Sequence, residues 1–94
     1  MFEIRRGTNG EVLLSGRLDA AQVDRVREEL KDQATSCEVN FERLDYISSA
    51  GMGVLLGVQK RLSTSGQGLI LTHMNRHIRE LFTIAGFHHI FTIK

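Results

Sequence analysis

The sequence predicts an α/β domain: a mixed, mostly parallel sheet of four to five strands with helices packed on it. Short segments alternating apolar and polar residues recur at 2–6, 37–41 and 89–93. Between them, apolar residues fall at helical spacing over 20–34, 50–65 and 75–85. With short apolar runs at 12–14 and 69–71, the order reads ββαβαβαβ. Strands that alternate with helices after an opening hairpin become parallel neighbours, which defines the class.

Each element has a local reason. Phe2 and Ile4 face one side of the first strand and Glu3 and Arg5 the other; Gly7-Thr8-Asn9-Gly10 then supplies turn residues before Val12-Leu13-Leu14. An Asn-Gly turn between two such runs is a hairpin signal. Asp19 is placed to cap the helix over 20–34, where Val23, Val26, Leu30 and Ala34 make an apolar stripe under a charged, solvated face. Cys37, Val39 and Phe41 point one way in the third strand, so the lone cysteine is read as a small buried hydrophobe. An acidic loop over 42–46 is expected to lead into the second helix.

That helix, over 50–65, is unusual. Met52, Val54, Leu55, Leu56, Val58 and Leu62 leave its first turns almost without a polar face. Gly51, Gly53 and Gly57 each cost up to about 1 kcal/mol against alanine inside a helix. Either the helix packs tightly on the sheet, or a partner docks on its outer face. Ser65-Gly66-Gln67-Gly68 ends it, and Leu69-Ile70-Leu71 is a short strand. Asn75 caps a third helix with Ile78, Leu81, Phe82 and Ala85 as its stripe, and Gly86 stands at the position that favours a left-handed residue. Residues 89–93 close the sheet.

Bulk composition narrows the function. The chain has 94 residues, 41% apolar and 24% charged, enough for one compact domain, read as 1–94. Twelve basic and eleven acidic residues are intermixed, with no basic stripe for nucleic acid. No run approaches the roughly 20 apolar residues of a membrane span, and the first residues lack a signal-peptide core. The single Cys37 fits a reducing, cytoplasmic setting. His73 and His77 flank a helix start, and His88 and His89, read as strand neighbours, point to opposite sides; no metal-ligand pattern supports them. No Gly-x-Ser-x-Gly elbow, phosphate cradle or dinucleotide fingerprint is present, so neither catalysis nor a cofactor is expected.

What remains is Ile47-Ser48-Ser49-Ala50-Gly51-Met52. A serine at this helix start is a good N-cap, and the free N–H groups and positive dipole end there favour negative charge. Capping and a phosphate switch are thus compatible at one site. The stretch from Phe41 to Gly57 resembles the signature of the STAS domain family, and more narrowly that of bacterial anti-sigma factor antagonists. Gly16-Arg17-Leu18-Asp19, Gly68-Leu69-Ile70-Leu71 and Leu81-Phe82 with Ala85-Gly86-Phe87 resemble further landmarks of that family in order and spacing.

The resemblance implies a non-enzymatic partner switch. Where the family commonly has Asp-Ser-Ser-Gly with the first serine phosphorylated, this chain has Ser48-Ser49-Ala50-Gly51. Ser49 then takes the acceptor position, with Ser48 as the alternative. The implied partners are an anti-sigma factor that is also a serine kinase of the histidine-kinase-like ATPase fold, bound by the dephosphorylated form, and a PP2C-type phosphatase. Asp19, Asp45, Ser48, Ser49 and Met52 are the candidate contact residues. The resemblance also leaves open a STAS subunit serving a transport or sensory assembly without phosphoswitching.

Overall fold

The computed structural model describes residues 1–94. Its elements are β1 (Phe2–Arg6), β2 (Val12–Leu18), α1 (Val23–Leu30), β3 (Cys37–Ile47), α2 (Ser49–Ser63), β4 (Leu69–Thr72), α3 (Arg76–Ile84) and β5 (Thr92–Ile93), with short 3₁₀ turns at Ala20–Gln22 and Phe87–His89. The five strands lie in the order β1-β2-β3-β4-β5. β1 and β2 form the antiparallel hairpin, and every later pairing is parallel. The predicted class and element order stand.

The inward row of each strand meets all three helices in one apolar cluster. Val12, Leu14 and Leu18 of β2, Val39, Phe41, Leu44 and Ile47 of β3, and Leu69 and Leu71 of β4 join Val26 and Leu30 of α1, Leu55 and Leu62 of α2, and Ile78 and Phe82 of α3. Phe82 is the aromatic centre, with Phe41, Phe87 and Phe91 at centroid distances of 5.9, 5.9 and 5.7 Å. Cys37 is buried as read, and its thiol hydrogen-bonds toward the Gly10 and Glu38 carbonyls. The opposite face of the sheet is mixed: Glu3 pairs with Arg5 and Thr72 donates to Glu38, while Leu13 and Ile70 stand among them. No helix is long and apolar enough to cross a membrane.

Three local expectations are corrected. The acidic segment 42–46 is strand, not loop. β3 runs on through it because β2 offers a partner as far as Leu18, paired with Ile47. Two extra residues in β3, around Glu42 and Asp45, break the alternation that the eye looks for. The first helix starts later and ends earlier than 20–34, and Ala34 is exposed. A distant side chain takes its last carbonyl and one beyond it: Arg61 donates to Leu30 O at 2.8 Å and to Gln33 O at 2.7 Å. The closing strand shrinks to Thr92–Ile93, since Phe87 and Phe91 both turn into the aromatic cluster through a helical turn, with Phe91 N–H donating to Phe87 O at 2.9 Å. The His88 and His89 rings therefore lie beside each other, centroids 3.9 Å apart and planes tilted by 41°, instead of facing opposite ways.

Candidate functional site

β2 and β3 end side by side, which sets the site. Leu18 pairs with Ile47, and Ser48 N–H donates to Leu18 O at 2.9 Å. Asp19 and Ser48 therefore leave the sheet together. The Asp19 carboxylate accepts from Ala21 N–H at 3.0 Å, while Gln22 Oε1 accepts from Asp19 N–H at 2.9 Å. This is a reciprocal capping box on the turn that leads into α1.

Ser48 caps α2. Its backbone is extended (φ −90°, ψ 171°), and its Oγ accepts from Gly51 N–H at 3.1 Å. Its carbonyl accepts from Met52 N–H at 2.9 Å. Ser49 is the first helical residue, exposed, and its hydroxyl makes no hydrogen bond within the chain. The cap and the candidate acceptor, read from sequence as one site, are thus neighbouring residues with separate tasks. The N–H groups of Ser49 and Ala50 have no acceptor, and the first turn of α2 holds no acidic residue. Such a helix start carries about half a positive charge, and an anion placed there is favoured.

Gly51 lets α2 begin so close to the sheet. A Cβ there would lie 2.9 Å from side-chain atoms of Ile47 and Leu18 and 3.0 Å from Leu18 O. Gly53 and Gly57 differ: a Cβ at either meets nothing within 4 Å. The glycines thus differ by position: Gly51 serves packing, whereas Gly53 and Gly57 leave the outer face of α2 bare.

The other candidates scatter somewhat around this centre. Met52 is half-buried and packs against the core, so only part of it faces outward. Asp45 is exposed at the second irregularity of β3, and its carboxylate makes no hydrogen bond or ion pair within the chain. Sequence reading did not single out Arg17 as a site residue. Its guanidinium lies 4.2 Å from the centroid of the Tyr46 ring, and it has no carboxylate partner. The available signal was its place between Gly16 and Leu18 in a strand whose neighbours turn inward; the stacking itself depends on register with β3. His, Cys, Asp and Glu side chains nowhere group in threes as a metal site would.

This arrangement, a five-stranded mixed sheet with a serine-headed helix beside the end of β2, is that of a STAS domain. The family model described as Mlab, STAS domain matches residues 3–93, and the chain belongs to that family. Among its relatives, BtrV of Bordetella bronchiseptica, named as an anti-sigma factor antagonist, is 38% identical over 84 residues, covering 85% of this chain and 72% of BtrV. The anti-sigma-B factor antagonist of Staphylococcus aureus is 31% identical over 80 residues, covering 81% of this chain and 74% of that protein. Among solved structures, the anti-sigma factor antagonist SpoIIAA in its unphosphorylated form is similar with a TM-score of 0.70 at 26% identity, covering 89% of this chain and 83% of that one. The phosphorylated form of Bacillus SpoIIAA gives 0.72 at 25% identity, covering 100% and 91%.

Proposed function

We propose that this chain is an anti-sigma factor antagonist whose binding is switched at Ser49. The observation that carries the switch is the division of labour at the head of α2: Ser48 supplies the cap, so Ser49 presents an uncommitted, exposed hydroxyl beside two free N–H groups. The dephosphorylated surface around Asp19, Asp45, Ser48, Ser49 and Met52 contacts an anti-sigma factor. That partner is also a serine kinase of the histidine-kinase-like ATPase fold, working in the cytoplasm, and a PP2C-type phosphatase reverses its action. The chain itself contributes a surface and an acceptor, with no catalytic step of its own.

The electrostatics support release without refolding. A phosphoserine adds about −1.5 to −2 charges at pH 7. Facing solvent, that charge is tolerated by the helix start. Inside an interface it must lose its water or meet like charge, and a loss of about 3 kcal/mol weakens a complex more than a hundredfold. The matching family model bears the name Mlab, which favours a second reading: an accessory subunit that uses the same surface with Ser49 unmodified. Incubation with the cognate kinase and ATP, followed by peptide mass spectrometry, separates the two. The switch requires one phosphate at Ser49, lost in Ser49→Ala and retained in Ser48→Ala. An authentic, bound partner that leaves both serines unmodified would favour the accessory reading.

A further inference from the structure

We infer that the groove between α1 and α2 is a second docking surface, whose occupant is an acidic, amphipathic helical segment of the same partner that contacts Ser49; the inference rests on that functional reading. The groove holds about 270 Å3. Leu30, Val54 and Val58 form its floor, where the buried core comes nearest the surface between the helices, and Gly57 leaves its α2 wall without a side chain. The remaining lining residues, Arg27, Lys31 and Arg61, are all cations.

The chemistry of the walls selects the occupant. No carboxylate lines the groove. Arg27 and Lys31 are paired one turn back with Asp24 at 2.9 Å and Glu28 at 2.8 Å, but both pairs are exposed, and such pairs are readily exchanged for a partner's carboxylates. Arg61 has only backbone carbonyls for partners. The groove is an open furrow on the surface, not an enclosed cavity. It suits a row of side chains from a helix laid in a groove, apolar residues down and carboxylates on the flanks. Bare backbone at Gly53 and Gly57 admits such a helix closely.

The groove continues toward the switch. Ala50, Gly53, Gly57 and Arg61 follow one another at helical spacing along the exposed side of α2, which begins at Ser49. From Ser49 to Arg61 the helix advances about 18 Å. This exceeds the screening length of about 8 Å at physiological salt, so a phosphate at Ser49 repels the near end of an acidic segment while the far end stays held. The two zones then contribute independently.

The test measures binding of the purified chain to each anti-sigma factor kinase of the source organism, with wild type, Ser49→Asp, Gly57→Met and the double variant Arg27→Glu/Lys31→Glu. Expected are a loss of about tenfold or more in the double variant with a flatter salt dependence, and a comparable loss in Gly57→Met with unreduced thermal stability. Wild-type affinity in both groove variants, with Ser49→Asp still weakened, would overturn the groove and leave the switch intact. Failure of wild type to bind any such kinase would overturn both. Sedimentation with phosphatidylglycerol vesicles that is lost in the double variant, while kinase binding is unaffected, would assign the groove to a lipid surface and overturn the protein occupant.

Discussion

Ser48 and Ser49 are chemically identical and structurally opposite. Their difference follows from a long-range contact, since the pairing of Leu18 with Ile47 stops the strand at Ser48 and holds that residue extended. Local sequence could place the helix start but not choose between two residues that both suit a cap. Ser48→Ala should lower stability by about 1 kcal/mol in urea unfolding and preserve phosphorylation at Ser49. Ser49→Ala should stay within about 0.5 kcal/mol of wild type and abolish it. Cys37, by contrast, was legible from alternation alone. Burial raises its thiol pKa, against the opposing pull of Arg6. The folded-state value lies above the unfolded one, so the stability linked to this proton is complete below the unfolded thiol pKa, about 8.5, and is lost as pH rises through the raised folded value. Urea unfolding at pH 7 to 10 should therefore show a steeper loss in wild type than in Cys37→Ala. Equal slopes would contradict a protonated, buried thiol.

At the scale of elements, α2 is where sequence and structure inform each other most. The three glycines look alike in the sequence, and only the approach of α2 to the ends of β2 and β3 separates them. Gly51→Ala should destabilise by about 1–3 kcal/mol through overpacking against Ile47 and Leu18. Gly53→Ala and Gly57→Ala should be neutral or stabilising by up to about 1 kcal/mol, as better helix formers with open space around them. Thermal unfolding of the three variants checks the contrast, and equal losses would refute it. Helices with clean stripes and caps, such as α3 under Asn75, were readable because their signals are local. β3 beyond Phe41 was not, because its two irregularities move Leu44 and Ile47 out of strict alternation. The last strand was overread for the converse reason: Phe91 and Ile93 alternate, yet the aromatic cluster bends Phe87–His89 into a turn.

For the whole molecule, the switch proposed at Ser49 requires a rigid domain that changes its surface and not its fold. A chain of 94 residues has a stability of about 5–14 kcal/mol, and its apolar core lies beneath the head of α2, not around it. Phosphorylation should thus leave the far-ultraviolet circular dichroism unchanged. The most direct test of the central claim is titration calorimetry of the cognate anti-sigma factor against this chain before and after stoichiometric phosphorylation at Ser49. The unmodified chain should bind tightly and lose a hundredfold or more in affinity on phosphorylation, with Ser48→Ala behaving the same way. Equal affinity for both forms, with the phosphate verified at Ser49, would contradict it.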